Sequence, residues 1–180
     1  RSIIALTLVI PLGLMMDLVH ELGHALWGTI VGGKLTYMQV AFLELYPRIA
    51  VTSDFVLGLV RIEGLSGFNF GFFLLGGAFT TNIVSWLVGL FLLRRKLVGN
   101  TRICLRVFGL FGLLDLPLYV ILPQLGFRHW FLVGGTQPEP LIGARMMGIS
   151  DPIFYVFVVL TSVGLMSLYY QPIRSHIQGT

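Results

Sequence analysis

Long apolar runs alternate with shorter stretches of polar and turn-forming residues along this chain. Four runs, at about residues 3–31, 67–93, 103–123 and 152–171, approach the ~20 apolar residues that a helix needs to cross a bilayer. Pro11 and Gly13 predict a kink in the first, which membrane helices tolerate when neighbours satisfy the freed backbone groups. Asp151-Pro152 reads as an N-cap followed by proline at the first helical position, opening the fourth. No repeat of fixed period interrupts this order.

Residues 32–64, "GGKLTYMQVAFLELYPRIAVTSDFVLGLVRIEG", change the pattern. They are rich in β-branched and aromatic residues and broken by Pro47 and by Thr52-Ser53-Asp54, which predicts two or three short strands in a hairpin or meander. A ribbon this apolar belongs at or within the membrane interface. Residues 124–151 form a long connection, in which "GGTQPEP" reads as a turn or loop. "LIGARMMGI" reads as a short interfacial helix with Arg145 toward the headgroups. The expected fold is therefore a mainly α membrane protein. It is a polytopic bundle of about four transmembrane helices with a small membrane-associated β-hairpin or sheet after the first, forming one domain over 1–180.

Composition agrees. The 180 residues are 56% hydrophobic and 11% charged, against about 25% charged in soluble domains. The net charge of +4 does not indicate nucleic acid, because Arg94, Arg95, Lys96, Arg102 and Arg106 cluster at the ends of apolar runs, where they anchor to headgroups. Cys104 is the one cysteine, which excludes an intrachain disulfide and a thiolate metal cluster. The opening stretch has the basic start and apolar run of a signal peptide. It continues to Val31 without a small-residue cleavage site, so it reads as a first transmembrane helix.

Within that helix lies "LVHELGHALWG", residues 18–28. Ionisable groups inside a membrane are expensive and mark function. Positions i and i+4 share a helix face, so His20 and His24 can offer imidazole nitrogens to one Zn²⁺, with Glu21 beside them as general base. A catalytic zinc takes three protein ligands, so a third is needed. Asp115, Asp151, His129 and Glu63 are the candidates. Asp17, one turn before His20, is better placed to bond a histidine ring nitrogen from outside the ligand set. Depth favours Asp115. His20 lies ~25 Å along the first helix and Asp115 ~18 Å from the same membrane face at ~1.5 Å per residue, both beyond the midplane.

An HExxH in a membrane helix, a strand-rich stretch after it and an aspartate in a later span resemble the site-2-protease family of intramembrane zinc metalloproteases. The resemblance runs from about His20 to Asp115. It implies that His20, His24 and Asp115 hold one catalytic Zn²⁺, that Glu21 is the catalytic glutamate, and that Asn82, in "GGAFTTNIVSW", matches the asparagine of a Gly-Pro-x-x-Asn-like motif, where it could hold substrate or the oxyanion. Read from the residue alone, the favoured role of Asn82 is an interhelical hydrogen bond. Two departures stand out: Ala78 and Phe79 replace the Gly-Pro pair, and Leu116-Pro117 follows Asp115 where the family has glycine. The implied activity is that of a zinc metalloendopeptidase cleaving a peptide bond in or near a transmembrane segment of a membrane-protein substrate. The lipid bilayer is the other partner.

Two further readings are weighed against it. A non-catalytic zinc-binding scaffold or chaperone of the same fold would not need Glu21. A metal transporter would need paired metal motifs on several helices. Orientation is read two ways. Arg1, Arg94, Arg95, Lys96, Arg102, Arg106 and Arg174 outnumber Lys34, Arg48, Arg61, Arg128 and Arg145 on the opposite face. The positive-inside rule then puts the metal toward the outer face, whereas the resemblance implies the cytosolic side.

Overall fold

The computed structural model describes residues 2–95 and 97–170. Arg1, Lys96 and Arg174 of the charge comparison, and residue 171 of the fourth expected span, lie outside the described residues. The chain runs through helix α1 (Ser2–Ile30), strands β1 (Lys34–Tyr46) and β2 (Ala50–Glu63), helices α2 (Gly67–Arg94) and α3 (Gly99–Ile121), short helix α4 (Glu139–Met146) and helix α5 (Asp151–Tyr170). A single 3-10 turn at Pro123–Leu125 extends α3. Among the described residues, four helices are long and apolar enough to cross a membrane: Thr7–Ile30, Gly67–Arg94, Gly99–Leu125 and Asp151–Tyr170. They correspond to the four apolar runs. Helix α1 continues past Pro11 without a break.

Helix α2 is the hub, packing against α1, α3, α4 and α5. Its sequence explains why. From Gly71 to Gly89 its buried positions are almost all glycine, alanine, serine, threonine or asparagine, small residues that let helix backbones approach closely. Where α1 crosses α2, a Cβ on Gly23 would stand 2.6 Å from the Gly76 carbonyl oxygen, and one on Gly76 would stand 2.9 Å from Trp27. Beside this crossing the Trp27 indole donates to Thr80 Oγ1 at 3.0 Å. Ala78, Leu116, Val120, Leu141, Ala144, Phe154 and Val158 form the apolar core where α2, α3, α4 and α5 meet. Outward positions are apolar too: Ile153, Val159, Leu160, Val163 and Met166 of α5 are all exposed.

The strand-rich segment is one antiparallel hairpin of two long strands, 13 and 14 residues, rather than several short ones. It pairs from Lys34 opposite Glu63 to Glu44 opposite Ala50, with register shifts between Leu35 and Tyr37, Val40 and Ala41, and Ala41 and Leu43. Between Val40–Gly58 and Ala41–Val56 the ladder gains a residue on β2, and Ala41 takes the left-handed conformation with φ 52°. The buried Gln39 amide makes up for ladder bonds lost nearby, donating to the carbonyls of Ala41 at 2.9 Å and Asp54 at 2.7 Å. Bulges of this kind bend a strand and re-aim what it carries; this one lies beside Gly58, against which Glu21 rests.

Helix α4 begins at Glu139, two residues before the apolar stretch that predicted it. Arg145 does not reach outward alone. Its guanidinium pairs with Asp151 at 2.7 and 2.5 Å, so Asp151 ties α4 to the start of α5. Asp151 is itself the first residue of α5, preceded by Ser150, whose carbonyl accepts from Phe154 N. The capping position thus falls one residue earlier than the Asp-Pro pair suggested.

Replacing Gly76 by alanine should destabilise the fold by about 1–3 kcal/mol, the usual cost of overpacking a close contact. A lowered thermal midpoint in detergent, read from tryptophan fluorescence, checks this. An unchanged midpoint would mean that the α1–α2 crossing relaxes freely.

Candidate metal centre

Helix α1 carries His20, Glu21 and His24 on and beside one face, all three buried. Each histidine is oriented by a bond from its Nδ1. His20 Nδ1–H donates to Asp115 Oδ2 on α3 at 2.7 Å. His24 Nδ1–H donates to the Phe73 carbonyl on α2 at 2.6 Å. Both partners are acceptors, so the proton of each neutral ring sits on Nδ1 and each Nε2 keeps a free lone pair. Those two Nε2 atoms lie 3.0 Å apart. Lone pairs facing each other at that separation repel unless a proton or a metal cation lies between them.

A carboxylate completes the group. Glu139 Oε2 stands 3.7 Å from His24 Nε2, and donor atoms of His20, His24 and Glu139 all fall within 4.8 Å of one another. Ligands at about 2.05 Å from a tetrahedral ion stand roughly 3.3 Å apart, and both distances at His24 lie near that spacing. Desolvation raises the Glu139 carboxyl above its ordinary range, a cost that a divalent cation removes. Glycine is required where α2 faces this group. A Cβ on Gly77 would run into His24 Nε2 and would come within 2.5 Å of His20 Nε2.

The structure brings Asp115 to the site but not into the donor group. Its Oδ2 is taken by His20 Nδ1, on the far side of the ring from Nε2, and lies 2.6 Å from the Thr81 hydroxyl. Asp115 therefore sets the ring orientation and tautomer of His20, the role anticipated for Asp17. Asp17 does not share that bond, and its buried Oδ2 has no hydrogen-bond partner among the described residues. The depth estimate brought Asp115 to the correct level. It could not tell the two ring nitrogens apart.

Asn82 is not at the site. Its Oδ1 accepts from Thr161 on α5 at 3.0 Å, and that hydroxyl in turn accepts from the Trp86 indole at 2.9 Å. It bonds one helix to another, as polar residues in apolar bundles often do. Glu63 is exposed at the open end of the hairpin opposite Lys34. His129 is buried. It braces the long loop after α3, with Nε2–H donating to the Gln137 carbonyl at 2.5 Å and its backbone N–H donating to the Gly135 carbonyl at 3.0 Å. Burial holds its imidazole below the ordinary range, so it sits there as the neutral ring.

Glu139 is the residue that sequence reasoning missed. Its signal was faint: a carboxylate between two prolines in a chain with eight acidic residues. Span depths cannot anticipate it, because it arrives on a loop that folds back from the end of α3.

Glu21 and His24 open onto a cavity of about 520 Å³. Its walls are residues 55–60 of β2, Phe73 and Leu74 of α2, Tyr119 of α3, the loop residues 128–129 and 132–135, and Glu139. Side chains on a strand alternate between faces, so six consecutive residues of β2 border this space with the strand's edge. Gly58 leaves room for Glu21: a side chain there would occupy the position of its carboxylate. No protein-family profile, no curated protein and no solved structure matches this chain.

With added Zn²⁺ as the probe ion, Asp115→Ala should weaken metal binding about 10–100-fold, the usual loss when a bond orienting a ligand is removed. Glu139→Ala should weaken it further, because a donor to the ion is lost. Competition against a chromophoric chelator measures both. The reverse order would return Asp115 to the donor set.

Proposed function

We propose that the chain is a multi-pass membrane zinc metalloendopeptidase, hydrolysing a peptide bond in or near a transmembrane segment of a membrane-protein substrate. The observation that carries this reading is the grouping of two imidazoles and one carboxylate, of which His24 and Glu139 border, with Glu21, a cavity edged by a strand. Structural zinc sites take four protein ligands and catalytic ones three, leaving a position open. His20, His24 and Glu139 make a two-histidine, one-glutamate set, which catalytic zinc uses. A zinc ion held there supplies a Lewis acid that polarises the scissile carbonyl and acidifies water at neutral pH.

The chain's own residues do the rest. Asp115 and the Phe73 carbonyl keep both rings in the tautomer that leaves Nε2 free. Glu21 accepts a proton from the attacking water and returns it to the leaving nitrogen. A purely structural ion would need no base in that position. The membrane part of the reading is supported by four helices of sufficient length and apolarity, whose outward faces carry large apolar side chains.

A peptide bond within a helix is shielded by its own hydrogen bonds, so the substrate must be extended before water reaches its carbonyl. Residues 55–60 of β2 offer a backbone edge beside Glu21, and an extended segment pairing with that edge would be held against the base. The scaffold or chaperone reading remains the rival, and it requires bound metal without turnover.

Glu21→Gln should keep zinc bound and lower cleavage by about 10²–10⁴-fold, the span of general-base contributions. The assay is cleavage of a fluorophore–quencher transmembrane peptide by zinc-loaded protein in detergent. Equal turnover by the variant would sink the mechanism; bound zinc with no turnover in either form would favour the scaffold. Proline placed in turn at Leu57 and Leu59, leaving Gly58 and so Glu21 undisturbed, removes one backbone donor at a time. At a free-edge position it should slow cleavage of the helical peptide by roughly five- to tenfold, the worth of about 1 kcal/mol. A short, already extended peptide should be spared. Equal effects on both substrates at every position would leave the hairpin a packing role only.

A further inference from the structure

Tyr119 is left unused by the roles assigned so far. It lies on α3 four residues after Asp115, on the same helix face. It is 5% exposed and borders the cavity that holds Glu21, His24 and Glu139. Its ring is held against His20, centroids 4.6 Å apart, and stacked on His129 at 3.7 Å with planes 28° apart. Stacking on that scale fixes the plane and direction of a ring. The phenol hydroxyl makes no hydrogen bond to any described residue, and it is not among the fully enclosed side-chain atoms that lack a partner. A buried phenol in an apolar bundle ordinarily finds an acceptor, as Tyr169 does on the Ser85 carbonyl at 2.6 Å. The Tyr119 hydroxyl has no such acceptor among the described residues, on a side chain that borders the cavity.

Resting on the peptidase reading, we infer that Tyr119 is a further catalytic residue, whose hydroxyl donates a hydrogen bond to the oxyanion formed from the scissile carbonyl. In the addition step the water oxygen bonds to the carbonyl carbon, Glu21 takes one of the water's protons, and the carbonyl π pair moves onto oxygen. That oxygen is where negative charge develops, and a preoriented donor in a water-poor site stabilises it more than it stabilises the neutral carbonyl. In the second step the pair returns to re-form the carbonyl as the C–N bond breaks. The leaving nitrogen receives the proton from Glu21, giving a carboxylic acid and an amine. Tyr119 keeps its proton throughout.

The position also explains the bracing around it. His129 is pinned by Gln137 and Gly135, so the ring that stacks on Tyr119 cannot swing away. The same bracing holds the backbone two residues before Glu139. Asn82, the side chain that the resemblance would assign to the oxyanion, does not border the cavity: its Oδ1 accepts from Thr161, and its buried Nδ2 has no hydrogen-bond partner among the described residues. The oxyanion therefore needs another donor, and Tyr119 supplies one from the helix that already orients His20.

The test is Tyr119→Phe, which keeps the ring and its stacking and removes only the hydroxyl. Zinc content and thermal midpoint should match wild type. With the fluorophore–quencher transmembrane peptide, kcat should fall about 10²–10³-fold, the range for losing one oxyanion donor, with KM nearly unchanged. A second readout needs no turnover: the affinity of zinc-loaded protein for a phosphinic analogue of an all-leucine tripeptide, measured by calorimetry. The phosphinate oxygens stand in for the tetrahedral oxyanion, so Tyr119→Phe should bind it at least about tenfold more weakly. Wild-type kcat in the variant, or equal phosphinate affinity with zinc bound in both, would overturn the role of Tyr119 and leave the peptidase reading standing. Zinc-loaded wild type that neither cleaves the peptide nor binds the phosphinate would overturn the peptidase reading itself, and this role with it.

Discussion

Two short hydrogen bonds from imidazole Nδ1 atoms, one to Asp115 and one to the Phe73 carbonyl, govern the rest of this architecture. A histidine in an apolar helix bundle has few acceptors within reach, and a free ring would turn about its side-chain torsions. Here each ring is tied to a different neighbouring helix, so the relative positions of α1, α2 and α3 set the direction of both free nitrogens. Bonds to a charged partner contribute about 1.5–3 kcal/mol, enough to hold a ring in place. The same bonds impose a demand. Once both Nδ1 atoms are committed, the facing Nε2 lone pairs, 3.0 Å apart, call for a positive charge.

That demand is met only because the helices come close enough. Helix α2 keeps small residues on its inner positions, and the absence of a Cβ at Gly77 leaves the space directly before the two Nε2 atoms clear. On the other side the bulged β2 presents Gly58 to Glu21. Two glycines from unrelated elements thus clear space for the two parts of the site, one before the histidine pair and one before Glu21. Apolar packing draws the helices together, and these gaps in side-chain volume decide what fits between them.

Much of this was legible in the sequence. Hydrophobic run length located all four long helices, because backbone satisfaction in an apolar medium leaves little alternative to helix. The spacing of His20 and His24 fixed their shared face for the same geometric reason. Legibility failed where position depends on chain reversal or on which atom of a side chain is used. Asp115 was brought to the right depth, yet whether it meets Nδ1 or Nε2 is a matter of ring rotation that no periodicity encodes. Asn82, by contrast, takes the interhelical role favoured for a polar residue in an apolar span, accepting from Thr161 on α5. Glu139 lay in a stretch that reads as a turn, and its nearness to His24 is created by a loop braced through His129 and Gln137.

The late arrival of Glu139 has a consequence for how the protein is made. His20, His24, Asp115 and the hub helix are all synthesised before the loop after α3. A nascent chain that has inserted α1 to α3 holds two imidazoles but lacks the carboxylate that completes the donor group. Only when residue 139 has emerged and the loop has folded back can the chain grip an ion with three side chains. Order of synthesis therefore leaves the donor group without its carboxylate until residue 139 has been made.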